Sequence, residues 1–119
     1  MPSQRSDDDK LALLQGTLDL LILRTLGLGP RHGQGIARSI QQQSEDVFVV
    51  DHGSLYLALQ RLDDKGYVTA KWGVSENNRK ARFYTLTAKG RAQLSQKANQ
   101  WRRVAQAIGR ILGPEEAEG

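Results

Sequence analysis

The sequence predicts a mainly α-helical fold with one small β-hairpin and a long C-terminal helix. Apolar residues recur at spacings of three and four in four segments, which is the period of a helix with one buried face. Between the third and fourth segments the period changes to two, over residues 67–72 and 82–86, which is typical of paired strands. The chain has 119 residues, of which 39% are hydrophobic and 25% are charged. We therefore expect one soluble globular domain with a single core.

The composition excludes several kinds of chemistry. The chain contains no cysteine, which excludes disulfides, zinc–thiolate sites, iron–sulfur clusters and a cysteine nucleophile. Its two histidines, His32 and His52, are too few for a multi-histidine metal site within one chain. Asp63 and Asp64 are adjacent on a predicted helix, so they do not face each other as a catalytic pair would. We expect a protein that is not an enzyme and that needs no cofactor.

The first residues show no targeting or membrane pattern. Residues 1–10 include three consecutive aspartates where a signal peptide needs basic and then apolar residues, and we expect a disordered arm there. The most apolar stretch, residues 11–28, is interrupted by Gln15, Asp19 and Arg24. Such a stretch is a poor membrane span and a good buried helix. We expect no membrane contact and a cytoplasmic location.

The first predicted helix, residues 11–26, is apolar around most of its circumference. A helix of this kind must be covered on several sides, and a short chain has little material to do so. A partner subunit is therefore expected, and the residues of this helix assigned to the interface are Leu11, Leu14 and Leu18. The second predicted helix, residues 33–43, buries Ile36 and Ile40.

The third predicted helix spans residues 52–65. Asp51 precedes it as an N-cap, and Gly66 follows it as the residue that ends the helix. Leu55, Leu59 and Leu62 recur at i, i+4 and i+7 and face inward. The outward face then presents His52, Ser54, Tyr56, Leu57, Gln60 and Arg61.

A polar hairpin tip and a last helix complete the chain. The tip, residues 73–80, and its shoulders are basic, and Trp72 is expected to pack the hairpin against the helices. The last helix follows Thr87, a suitable N-cap, and continues to residue 112. Its apolar stripe has no following element to cover it, which favours a homodimer. The stripe consists of Leu94, Ala98, Trp101, Val104, Ala105, Ile108, Ile111 and Leu112.

Positive charge is concentrated in the second half of the chain. The net charge is +4, and residues 53–112 hold twelve Lys and Arg against three Asp and Glu. Such an excess favours a polyanionic partner, although basic runs are more often solvated surface. The order of elements is that of a winged helix-turn-helix, whose third helix enters the major groove of DNA. We predict that domain over residues 11–86, a dimerisation helix over 87–112 and an acidic tail over 113–119.

Four stretches of the chain resemble the PadR-type transcriptional regulators of bacteria. They are LLQGTLDLLILRTL (11–24), HGQGIARSIQ (32–41), HGSLYLALQRLDDKGYV (52–68) and NNRKARFYTLTAKG (77–90). The resemblance implies the short PadR subfamily, in which a single C-terminal helix dimerises. It further implies a dimeric repressor of an inverted-repeat operator, released in many members by a small aromatic or amphipathic ligand. Gln34 and Leu57 depart from the family pattern, so the operator sequence cannot be transferred from relatives.

The outward face of the third helix supplies the first group of predicted contacts with double-stranded DNA. Gln60 and Arg61 can hydrogen-bond base edges, and Leu57 can contact a thymine methyl group. Their alternatives are a solvated helix surface and, for Leu57, the edge of the core. The resemblance implies that Tyr56 contacts DNA. The alternative is that Tyr56 is a partly buried aromatic side chain. Ser54 either contacts a phosphate or caps its own helix.

The second helix and the hairpin supply the other candidates. His32 and Gln34 open the second helix, whose free N–H groups suit a phosphate, but His32 is equally a loop histidine, and His52 has the same ambiguity. Arg79 and Lys80 favour phosphate or minor-groove contact over a solvated tip. The remaining candidates are Lys65, Lys71 and Asn78.

Two questions stay open at this point. The resemblance implies that Trp101 stacks on a ligand between subunits in a candidate effector pocket, whereas its place on the stripe favours an ordinary dimer core. Arg102 and Arg103 are either basic surface or partners of Asp19 in another subunit. The alternative to a regulator is a winged-helix module for architectural DNA binding or protein assembly, without strong operator specificity.

Overall fold

The computed structural model describes residues 15–115, which form four helices and one small sheet. The elements in chain order are α1 (Gln15–Gly27), β1 (Arg31–His32), α2 (Gly33–Gln43), α3 (His52–Asp64), β2 (Val68–Val74), β3 (Lys80–Leu86) and α4 (Ala88–Leu112). The predicted arm over residues 1–10, Leu11 and Leu14, and residues 116–119 of the predicted tail lie outside the described residues. Within residues 15–115, no helix is long and apolar enough to cross a membrane.

Side-chain caps place the helix starts where the sequence predicts them. Asp51 precedes α3 and accepts a hydrogen bond from the Ser54 N–H, and Thr87 precedes α4 and accepts one from the Gly90 N–H. These bonds satisfy donors that have no partner within the helix. Gly66 follows α3 with φ +79°, a conformation that glycine adopts without strain. The prediction of a mainly α-helical fold with a long C-terminal helix is confirmed.

The sheet has one more strand than the sequence predicts. β2 and β3 form the antiparallel hairpin, and the two-residue strand β1 adds to the outer edge of β3, so the order is β1-β3-β2. Arg31 pairs with Tyr84 and His32 with Phe83. Two residues carry no periodicity, so only the folded position of β3 could reveal this pairing. β1 ties the start of α2 to the wing, the name used here for the hairpin over residues 68–86.

One core joins the three short helices to the base of the wing. α1 contributes Ile22, Leu23 and Leu26 to this core and contacts α2, α3 and β3. The wing contributes Val68 at the start of β2 and two residues at the end of β3, Tyr84 and Leu86. Leu18 also belongs to this core and is only 4% exposed. Its side chain therefore packs within one chain, which corrects the prediction that Leu18 lies in a dimer interface. The reason is that α1 is packed against α2, α3 and α4 of its own chain.

The first turns of α4 pack on this core, and the rest of the helix leaves it. Leu94 contacts the core cluster, and a Cβ on Gly27 of α1 would lie 3.4 Å from Leu94. Gly90 lies so close to the Tyr67 carbonyl that no side chain fits there. Farther along α4, an open cavity lies between this helix and α1. The molecule measures 51 × 33 × 20 Å.

Candidate nucleic-acid interface

The outer face of α3 is held in place by its buried face. Leu55, Leu59 and Leu62 are almost completely buried, so the opposite side of the helix points to solvent. Tyr56 is 62% exposed, and Leu57 is exposed to the same extent. His52 and Gln60 are exposed as well. This face presents a phenol, an amide, an imidazole and an aliphatic group from a rigid helix, as the sequence predicts.

Ser54 has the capping role, one of the two roles proposed for it. Its backbone N–H and its hydroxyl donate to Asp51 Oδ2 at 2.9 and 3.1 Å. The hydrogen bond from the Ser54 N–H, and then that from its hydroxyl, hold the pKa of Asp51 below its usual value. The start of α3 is therefore capped, and Ser54 remains exposed.

Arg61 is turned away from the outer face. Its Nη2 donates to Asp19 Oδ1 of α1 at 2.9 Å, and the two side chains are 31% and 10% exposed. A carboxylate as buried as that of Asp19 needs a partner, and the long arginine side chain reaches it from the rim of α3. The prediction that Arg61 faces DNA is corrected accordingly. The same bond gives Asp19 a partner within its own chain rather than Arg102 or Arg103 of another.

The wing carries its cations at and near its tip. Asn78 adopts φ +59° in the turn, where the Asn78 N–H bonds to the Ser75 carbonyl. Arg79 and Lys80 follow it directly and are exposed. Lys71 is also exposed, but strand alternation places it on the opposite face of β2 from Trp72. Lys65, at the C-terminal end of α3, lies apart from the tip as the C-cap of that helix.

The sequence predicts that Trp72 packs the wing against the helices, and the structure contradicts this prediction. Its side chain is 64% exposed. Lys80 Nζ lies 5.2 Å and Arg82 Cζ 5.9 Å from the centre of the indole ring, within the range of cation–π attraction. The core ends at Val68 and Ala70, so the next residue on this face of β2 extends beyond it.

A cleft of about 370 Å³ separates the wing from the two helices of the helix-turn-helix. It brings together Gln34 at the start of α2, Tyr56 on α3, and Arg79 and Lys80 of the wing. Trp72 and Arg82 line it as well. The excess of cations and hydrogen-bond donors suits a polyanion. Within residues 15–115, no group of three or more His, Cys, Asp or Glu is arranged to hold a metal ion.

His32 lines this cleft as well, and its ring is engaged by other groups of the protein. Its side chain is 12% exposed, its Nδ1 accepts the Gly35 N–H at 3.0 Å, and its Nε2 lies 3.5 Å from Glu76 Oε1. Because Nδ1 accepts a hydrogen bond, a neutral His32 carries its proton on Nε2, which points at the carboxylate. These contacts make His32 a helix cap, and a phosphate contact by His32 remains a prediction. His32 caps α2 and contacts the wing.

Glu76 is a functional candidate that the sequence reasoning missed. Arg38 Nη1 lies 3.5 Å from Glu76 Oε2, so the wing tip is linked to the body by His32, Arg38 and Glu76, called here the wing tether. Hydrogen bonds from its own backbone N–H, and then from His32, hold the pKa of Glu76 below its usual value. One signal was available: Glu76 is the single acidic residue between positions 65 and 112.

The distal half of α4 presents an uncovered apolar stripe. Trp101, Val104, Ile108, Ile111 and Leu112 are all at least half exposed. The other three residues of the predicted stripe are half-buried in this chain: Leu94, Ala98 and Ala105. Trp101 and Val104 also line an open cavity of about 320 Å³ against Thr17 and Leu20 of α1.

Comparison with known proteins agrees with this geometry. The model of the "Transcriptional regulator PadR-like family" matches residues 22–96. An uncharacterized protein of Lysinibacillus sphaericus is 30% identical over 96 residues, which are 81% of this chain and 88% of that protein.

Two solved structures with similar sequences share the fold. A transcriptional regulator from Clostridium thermocellum has 26% identity and a TM-score of 0.75, over 83% of this chain and 93% of that one. A PadR family transcription regulator from Clostridium difficile has 28% identity and a TM-score of 0.70, over 81% of this chain and 98% of that one.

Proposed function

Because the chain belongs to the PadR-like family of transcriptional regulators, we propose that it is a homodimeric repressor that binds an inverted-repeat operator and is released by a small-molecule effector. The family regulates transcription by binding DNA and is not a family of enzymes. One observation supports the proposal for this chain. Tyr56, on the exposed face of α3, lines a single cleft together with Arg79 and Lys80 of the basic wing. A regulator of chromosomal DNA acts in the cytoplasm, which is where we propose it works.

In the proposed complex α3 lies in the major groove. Tyr56, Leu57 and Gln60 then face base edges and nearby phosphates, with His52 and Ser54 at the end of the helix closest to the backbone. The wing cations approach the adjacent phosphates or the minor groove. Lys65, Lys71 and Asn78 are peripheral in this arrangement. Gln34 lies at the N-terminus of α2, where a free N–H group of the protein backbone contacts a DNA phosphate in this proposal.

The proposed dimer uses the distal half of α4. Several large apolar side chains in one exposed stripe favour a second copy as the cover, because water is a poor environment for them. Two copies related by a twofold axis place two α3 helices on half-sites about one DNA turn (~34 Å) apart. In this proposal residues 11–86 bind DNA and residues 87–112 set the spacing.

The effector is proposed to bind beside Trp101. The cavity between α1 and α4 is apolar on most of its lining, and the indole offers a flat surface to an aromatic or amphipathic compound. A ligand there changes the angle between subunits and with it the distance between the two α3 helices. The alternative for Trp101 is a place in the dimer core without a ligand. Ligand-induced quenching of Trp101 in a Trp72→Phe background distinguishes the two roles.

Fluorescence anisotropy tests the main proposal. The duplex upstream of the protein's own gene is compared with a scrambled duplex of the same composition, from low to physiological salt. We expect nanomolar binding of the operator at physiological salt and an advantage of about 1,000-fold or more over the scrambled duplex. Equal binding of both duplexes, lost together as salt rises, would instead indicate an architectural DNA-binding module.

Variants of the cleft test which residues carry the binding. Tyr56→Ala is expected to reduce operator affinity while the dimer persists in light scattering. Arg79→Ala with Lys80→Ala should weaken binding to every duplex and reduce the salt dependence by up to about two phosphate contacts. The matched control is Arg102→Ala with Arg103→Ala, which removes the same charge from α4. If the control pair reduces the salt dependence as much as the wing pair does, the wing has no specific role.

A further inference from the structure

The exposure of Trp72 is unusual for its surroundings. A buried tryptophan removes up to about 250 Å² of mostly apolar surface from water, and the core of this domain begins two residues away on the same strand face. Trp72 nevertheless stays 64% exposed. It lies opposite Arg82 in the register of the hairpin and lines the cleft that Tyr56 borders on the other side. The indole is therefore displayed toward the face of α3 proposed to contact DNA.

Two cations accompany the indole. Lys80 Nζ and Arg82 Cζ lie 5.2 and 5.9 Å from its centre. Attraction to the ring limits the positions of both long side chains, so part of the entropy of ordering them is lost before any ligand arrives. The remaining ring surface stays open to solvent. The result is an apolar plane with two positive groups at its side.

The ligand that matches this surface has an anion next to an apolar or flat group. A simple anion would bind Lys80 and Arg82 but make no contact with the indole ring. An acidic protein surface would do the same. A nucleotide has both parts, because each phosphate adjoins a deoxyribose and a base. Since the cleft also carries Arg79, the neighbouring phosphates of a DNA strand find further cations.

We propose that Trp72 is a DNA-contacting residue, whose indole packs against the sugar and base edges of the minor groove beside the groove occupied by α3. The proposal rests on the proposed function and adds to it a contact that is not electrostatic. Lys80 and Arg82 hold the adjacent phosphates while the indole excludes water from the groove wall. Every base and sugar offers a similar surface, so the contact strengthens binding to DNA of any sequence.

Tryptophan fluorescence tests the contact directly. The chain has two tryptophans, so a Trp101→Phe variant reports only on Trp72, after light scattering has shown that its oligomeric state is unchanged. On titration with operator duplex we expect a change in Trp72 emission and protection from quenching by acrylamide. The matched control is Trp72→Phe, in which Trp101 alone reports. Its emission is expected to change less, because Trp101 lies on α4 away from the cleft.

Affinity measurements provide the second readout. Trp72→Ala is expected to weaken binding to operator and scrambled duplex alike, by about 5- to 100-fold, with the salt dependence unchanged. Trp72→Tyr should restore most of the loss. Val49→Ala, which shortens an exposed apolar side chain on the connector before α3, should change affinity by less than about twofold.

The outcomes separate this proposal from the function on which it rests. Operator binding by anisotropy with Trp72 emission and acrylamide quenching unchanged overturns the contact and leaves the regulator intact. A Trp72→Ala variant that binds as tightly as the parent protein does the same. Failure of the parent protein to bind any duplex overturns the proposed function and the contact with it. A loss of affinity confined to the operator would mean that Trp72 reads sequence, which also contradicts the proposal.

Discussion

Replacement of Arg61 by methionine removes the cation that pairs with Asp19 between α1 and α3. The hydrogen bond is 2.9 Å long, Asp19 is 10% exposed and Arg61 is 31% exposed. Exposed ion pairs contribute about 0–1 kcal/mol, and breaking a fully buried pair costs about 3–5 kcal/mol. This pair lies between the two cases, because the guanidinium keeps part of its contact with water. We therefore expect the free energy of unfolding to fall by about 2 kcal/mol.

The assay is thermal and urea unfolding at one fixed protein concentration, since the stability of a dimer depends on concentration. A loss of about 2 kcal/mol corresponds to a decrease in Tm of about 8–16 °C for a domain near 100 residues. Arg91→Met, on the exposed side of α4, is the matched control and should leave Tm nearly unchanged.

The double variant distinguishes an ion pair from general packing. Asp19→Leu combined with Arg61→Met leaves no unpaired charge in the core, so most of the lost stability should return. Operator affinity per folded molecule should be unchanged in all these proteins, because Arg61 faces α1. The reasoning is refuted if Arg61→Met keeps its stability and loses operator affinity, since Arg61 would then read DNA as the sequence suggested.

Three further predictions concern other parts of the fold. Gly90→Ala should lower the free energy of unfolding by about 3 kcal/mol or more, because the new Cβ collides with the Tyr67 carbonyl. The control is Gly109→Ala in the same helix, whose Cβ meets nothing within 4 Å and which should be neutral or stabilising in unfolding experiments. Val104→Asp should give monomers in light scattering that no longer bind the operator; a persistent dimer would contradict the proposed interface. Glu76→Gln should lower operator affinity about two- to fivefold, because loss of the exposed ion pairs releases the wing tip. A rise in affinity would show that Glu76 is only a carboxylate that repels phosphate. Because the pKa of Glu76 is lowered in the folded protein, the tether stabilises the wing above the usual carboxyl range, and this contribution is lost as pH falls through the lowered pKa; NMR titration of the wing amides measures it.

Local patterns were sufficient for the elements of this fold. Helix starts at Asp51 and Thr87 were predicted from residue type, because an N-cap acts within three residues of its own position. The basic tip was predicted from the change of period and the charges beside it. The resemblance to PadR-type regulators, carried by short motifs, is confirmed by the family match. The exposed outer face of α3 follows from the spacing of Leu55, Leu59 and Leu62 alone.

The sequence by itself determined which segments are helices, where the wing turns and which family the chain belongs to, since each depends on residues close together along the chain. Only the tertiary structure decided what the long side chains do. Arg61 reaches Asp19, 42 positions away, and His32 reaches Glu76, because packing brings their elements within the length of a side chain. Trp72 remains exposed because the core ends before it on the same strand face. Periodicity assigns a residue to a face, but the neighbour across that face is set by how the helices and the wing pack.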